Sequence, residues 1–170
     1  MDISPEITER PAQPYVAIAG QVTMATINSI ADRIPDVFGW LGARGITPAG
    51  PPFLRYNVID MDRQLEIEAG VPVASAVEGA GEGEGEGEVR AGTLPAGRFA
   101  VATHVGAPQT LPAATAALLD WAAARNLTWD TSETEAGQKW GCRLEFYLTD
   151  PSQQPDVSKW ETQLAFRLAD

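Results

Sequence analysis

Glu145 sits where backbone preference alone would not place a carboxylate. The run Trp140-Gly-Cys-Arg-Leu-Glu-Phe-Tyr-Leu-Thr-Asp150 alternates apolar and polar residues with period two, the pattern of a β-strand. Cys142, Leu144, Phe146 and Leu148 then point to one face, and Arg143, Glu145, Tyr147 and Thr149 to the other. Strands disfavour Glu. Either the second face is wet and Glu145 is ordinary surface, or it lines a cavity and Glu145 is the cavity's charged anchor. In a cavity the carboxylate has two uses: counter-ion to a cationic ligand or, with its pKa raised, general acid or base. Tyr56 and Tyr147, with the strand-edge tryptophans Trp140 and Trp160, could supply the rings of a cage for a cation. Packing is the more common use of Trp.

Glu68 is a second carboxylate in a hairpin strand, but Gln64 and Glu66 share its parity and read as a solvated face. His104, the sole histidine, closes a strand before Val-Gly106 and reads as a structural or rim residue with a possible ligand contact. One His and one Cys cannot build a His-rich or thiolate metal site or a Ser-His-Asp set. No Gly-rich phosphate loop follows a strand, so neither metal nor cofactor is expected.

The 170 residues suit one domain, or two half-domains sharing a core, and 44% hydrophobic content suffices for that core. Twelve Lys and Arg against 23 Asp and Glu give a net charge of −11, which argues against a nucleic-acid partner. It suits cationic ligands and plain solubility alike. The lone Cys142 excludes an internal disulfide and falls on the apolar strand face. No leader-like or membrane-spanning apolar run is present, so a cytoplasmic protein is expected.

Around these residues the chain reads as two similar halves. After a polar leader over residues 1–13, Tyr15–Val22 is a buried strand. Ile27, Ile30, Ala31, Ile34, Val37, Phe38 and Leu41 form a helical stripe interrupted by Pro35, either a kink or the first turn of a shorter helix. Gly45 ends it. Phe53–Asp60 and Gln64–Val73 form a hairpin. The Gly/Glu tract 78–88 reads as a flexible acidic linker. Val89–Leu94 is a possible edge strand, Arg98–Val105 a strand, and Leu111–Ala122 a helix begun by Thr110 and Pro112. Residues 127–139 read as a polar loop before Cys142–Thr149 and a last strand near Trp160–Leu168. Strand-helix-strand-strand thus occurs twice, over about 14–76 and 89–170. The predicted fold is α+β, a pseudo-twofold tandem whose antiparallel sheet carries its helices on one face, with a ligand cleft between the halves.

Gly50-Pro-Pro-Phe-Leu-Arg-Tyr56, Leu65-Glu-Ile-Glu68-Ala-Gly-Val-Pro-Val73, Leu94-Pro-Ala-Gly97, His104-Val-Gly106, Leu119-Asp-Trp121 and Leu144-Glu-Phe-Tyr147-Leu-Thr-Asp-Pro151 occur in this order. The ordered set resembles the GyrI-like small-molecule-binding domain, the effector-binding domain of bacterial transcription activators, here as one domain over 1–170. That resemblance implies the tandem fold and a cleft with an acidic residue at Glu145, which in multidrug-sensing members meets lipophilic cations among aromatics. With no helix-turn-helix segment, a stand-alone binding module for hydrophobic, cationic small molecules is expected, with no nucleic-acid or membrane partner. Two other functions are open: hydrolysis of cyclopropane-bearing DNA-alkylating natural products, as in similar stand-alone members, and protein inhibition of a topoisomerase. Gln163 and Ala107-Pro-Gln109 depart from the family pattern, and either could remove a ligand contact.

Overall fold

The computed structural model describes residues 3–60, 63–77 and 89–170; the acidic tract 78–88 lies outside them. In chain order the elements are β1 (Glu6–Arg10), β2 (Gln13–Val22), α1 (Asn28–Ala31), α2 (Ile34–Ala43), β3 (Phe53–Ile59), β4 (Leu65–Pro72) and β5 (Val89–Leu94). There follow β6 (Gly97–Val105), α3 (Leu111–Ala124), β7 (Thr131–Thr134), β8 (Gly137–Trp140), β9 (Arg143–Tyr147) and β10 (Glu161–Arg167). The fold is α+β, with a ten-stranded sheet among the described residues, in the order β1-β6-β10-β9-β3-β4-β2-β5. β8 pairs with β3 and β7 with β8, and each of these neighbouring pairs is antiparallel.

Outward from the β9–β3 pair, both arms run alike. Each presents the strand after a helix, that strand's hairpin partner, and then the strand before the helix. The outermost strands change sides: β1 completes the arm of β6, and β5 the arm of β2.

Register fixes which residues share a face. Ile18, Ala69, Leu54, Glu145, Leu164 and Ala102 are successive cross-strand partners. At one end of this row Ile18 packs with Val37 and Leu41 of α2. At the other, Ala102 packs with Ala114 and Leu118 of α3. Both helices therefore lie on the same face. Pro35 sits in the first turn of α2, where its missing N–H has no helical partner to lose. After that helix Gly45 takes φ +68°, a conformation open to glycine at little steric cost.

The opposite face carries no helix among the described residues. Its core consists of Tyr15, Ala17, Phe53, Leu94, Phe99, Val101, Cys142, Leu144, Phe146 and Ala165, so the curled sheet closes on its own side chains. Phe53 stacks edge-on against Tyr15 at 5.4 Å and tilts against Phe146 at 5.5 Å, and it lies so close over Gly70 that any Cβ there would stand 2.6 Å from the ring. Burying each such ring contributes roughly 1.5–3 kcal/mol.

Two stretches differ from the sequence expectation. The expected leader contains β1, and the expected polar loop 127–139 contains the β7–β8 hairpin. β1 and β7 are short and largely exposed, held by backbone ladders rather than by apolar alternation. Thr110 does not cap α3; its hydroxyl donates to the Ala107 carbonyl at 2.7 Å instead. Among the described residues no helix is long and apolar enough to cross a membrane, and no group of three or more His, Cys, Asp or Glu is placed to hold a metal ion.

Candidate functional site

Glu145 is the one charged residue in a row of five apolar partners. α1 and α2 pack on β2 and β4, and α3 packs on β6, leaving β3 and β9 as the floor between the helices. Glu145 stands on that floor, only partly buried.

Two phenols hold it. Tyr56 of β3 and Tyr147 of β9 each donate to Glu145 Oε1 at 2.9 Å. Tyr147 reaches it as a same-face neighbour two residues along the strand, and Tyr56 reaches across the β3–β9 junction. A bulge beside Tyr56 shifts the register between Tyr56 and Val58, so Val58 joins the opposite face while Tyr56 keeps its place facing Glu145. The second oxygen, Oε2, receives no hydrogen bond among the described residues. Burial raises the carboxyl pKa above its ordinary value, and the phenols and the Arg143 charge partly counter this. Both phenols are pushed well above the usual tyrosine range, by burial first and by the adjacent negative charge second, so they remain donors.

Arg143 shares the face, two residues before Glu145. Its guanidinium carbon lies 4.5 Å from the Phe166 ring centre, 4.8 Å from Trp140 and 5.8 Å from Tyr56. Trp140 is buried, against Trp129 and Phe166, so it is a wall of Arg143's surroundings rather than a contact of Glu145. Strand alternation puts Arg143 on Glu145's face, but its aromatic box is not legible in sequence, because Phe166 and Tyr56 come from other strands.

The remaining candidates lie elsewhere. His104 is buried, with Nε2 2.6 Å from Thr110 Oγ1, tying β6 to the start of α3. Trp160 donates to the Gln154 carbonyl at 2.8 Å. Glu68 belongs to the opposite face: it accepts from Tyr15 at 2.6 Å and from Asn57 at 2.7 Å, while Arg55 donates to Tyr15 at 3.1 Å and to the Gly141 carbonyl at 2.9 Å. Its parity read as solvated, yet the curl of the sheet buries it. Gln163 also faces away from Glu145, accepting from Arg10 at 2.6 Å. Ala107-Pro-Gln109 leads into α3 through a 3-10 turn. Burial pushes the Cys142 thiol up to about 11, as expected of a core residue.

A carboxylate with one oxygen held by two phenols and the other open, between apolar neighbours, can receive a cationic or hydrogen-bond-donating group, or exchange a proton. The model of the GyrI-like small molecule binding domain family matches residues 3–169. No curated protein matches the chain. Among solved structures, EcmrR in its DNA complex has a TM-score of 0.72 at 17% identity; the match covers 98% of this chain and 57% of EcmrR, so this chain spans little more than half of that protein. SAV2435 bound to tetraphenylphosphonium gives 0.66 at 9% identity, covering 98% and 94% of the two chains. A hydrolase from Listeria innocua gives 0.62 at 14%, covering 97% and 91%. At these identities the likeness is one of fold.

Proposed function

Because the chain belongs to the family of GyrI-like small molecule binding domains, we propose that it binds hydrophobic, cationic small molecules on the floor between its helices, with Glu145 as counter-ion. The observation that carries this reading is the half-satisfied carboxylate: Tyr56 and Tyr147 both donate to Oε1, and among the described residues Oε2 has no donor. An ionised carboxylate in an apolar row is destabilised by desolvation unless donors or a cation offset it. The two phenols offset part, and a ligand cation would supply the rest. SAV2435 bound to tetraphenylphosphonium shares the fold, which makes that cation a suitable probe.

At about 4 Å and an effective dielectric constant of about 20, the attraction is on the order of 4 kcal/mol, from which desolvation and the nearby Arg143 subtract. Glu145→Gln should therefore weaken tetraphenylphosphonium roughly 10–100-fold by calorimetry, and leave the neutral triphenylphosphine oxide within about twofold. Equal loss for both ligands would sink the counter-ion role.

A second reading rests on the raised pKa of Glu145, which suits a group that activates water or protonates a leaving atom. It predicts hydrolysis of a cyclopropane-bearing alkylator, followed by mass spectrometry and abolished in Glu145→Gln. Binding without turnover would retire it.

A further inference from the structure

The arginines of the sheet differ in how their donors are used. Arg10 donates to Gln163, Arg55 to Tyr15 and the Gly141 carbonyl, and Arg167 to Asp130, Asp170 and the Ala96 carbonyl. Arg143 has no acceptor and no ion pair among the described residues, and its Nε, like that of Arg55, is buried without a partner. Its guanidinium carbon lies over three rings, those of Phe166, Trp140 and Tyr56. The ring faces offset its charge, but among the described residues no oxygen accepts from its N–H donors. An unmet guanidinium fork of this kind matches a carboxylate, sulfonate or phosphonate bidentately.

Its position relative to Glu145 matters as much. Two residues along one strand face are about 6.6 Å apart, and Tyr56 joins the two sites, its ring beside Arg143 and its hydroxyl on Glu145. Among the described residues Glu145 Oε2 lacks a donor and Arg143 lacks an acceptor, yet no ion pair joins them. A plain lipophilic cation would gain from the first charge and be repelled by the second. A molecule carrying both signs, separated by about the width of one ring, would satisfy both.

We propose that Arg143 is an anion-recognition point of this site and that the preferred ligands are amphoteric, with a cationic or donor end at Glu145 and an oxyanion end at Arg143. This rests on the reading of Glu145 as a ligand site. The test uses rhodamine B and its ethyl ester, which share one xanthylium cation and differ in a free carboxylate. By fluorescence anisotropy the acid should bind the wild-type protein at least about tenfold more tightly than the ester. In Arg143→Met that preference should vanish by loss of acid affinity, with ester affinity kept within about threefold. Equal binding of acid and ester to the wild type, or tighter binding of the ester, would overturn the proposal while leaving Glu145's role standing. Failure of both dyes and of tetraphenylphosphonium to bind would overturn the function reading itself, and this proposal with it. The wild-type comparison needs no variant, so it decides the matter even if Arg143→Met does not fold.

Discussion

Replacing Tyr56 with Phe removes one donor from Glu145 Oε1 and leaves the ring beside Arg143 in place. A hydrogen bond to a charged acceptor contributes about 1.5–3 kcal/mol net, and the lower end applies because Tyr147 still donates to the same oxygen. Since 1.36 kcal/mol is a factor of ten in proton affinity, the carboxylate should hold its proton about tenfold more tightly. The sign follows from which form the phenol favours. Tyr56 bonds the ionised form and works against the upward shift caused by burial, so its loss moves the pKa further up. Binding of tetraphenylphosphonium, followed by calorimetry from acid to neutral pH, should weaken as Glu145 gains its proton. In Tyr56→Phe the acid limb should move to higher pH while the neutral plateau stays within about twofold. Tyr147→Phe should act alike. The double variant should exceed the sum of the two, because each phenol partly covers for the other on one oxygen. Glu145→Gln should show no acid limb. A limb that stays put or moves down in Tyr56→Phe, or one that survives in Glu145→Gln, would refute the assignment.

Two further outcomes concern stability. The folded-state pKa of Glu145 is raised, so between its unfolded and folded values the native state binds more protons, and stability falls as pH rises through that window. Glu145→Gln should therefore raise the melting temperature of the ligand-free protein at neutral pH, by about 2–4 °C for a change on the order of 1 kcal/mol, with the gain fading toward pH 4.5. Glu68→Ala, which strips Tyr15 and Asn57 of their acceptor on the opposite face, should destabilise in urea unfolding by about 1–3 kcal/mol for each buried donor left unmet. Ligand affinity of the folded fraction should not change.

The strand of Glu145 was legible because its alternation is strict and one parity is apolar; the observed β9 puts Leu144 and Phe146 in a core and Glu145 and Tyr147 on the helix-bearing face. The helix stripe around Pro35 was legible for the same reason. β1 and the β7–β8 hairpin were not, since Glu6-Ile-Thr-Glu-Arg10 and Thr131-Ser-Glu-Thr134 bury too little to be patterned. Glu68 shows a different limit. Parity correctly separated it from its apolar neighbours, but whether that parity meets water depends on the curl of the sheet, which Tyr15 and Arg55 reveal only in register. The site divides similarly. Tyr147 was a same-strand neighbour of Glu145 and could be read directly. Tyr56 needed the β3–β9 pairing, and the box around Arg143 needed three strands at once.

The exchange of outer strands, β1 onto β6 and β5 onto β2, bears on how the molecule could be taken apart. A chain severed between Val77 and Val89 would yield two pieces, each holding an edge strand of its mate's arm. Neither piece could finish its own sheet, so they should reassociate as a matched pair rather than as homodimers. Tyr56 would arrive on one piece, and Arg143, Glu145 and Tyr147 on the other. The Glu145 site would then exist only in the reunited pair, making ligand binding a direct signal of fragment complementation.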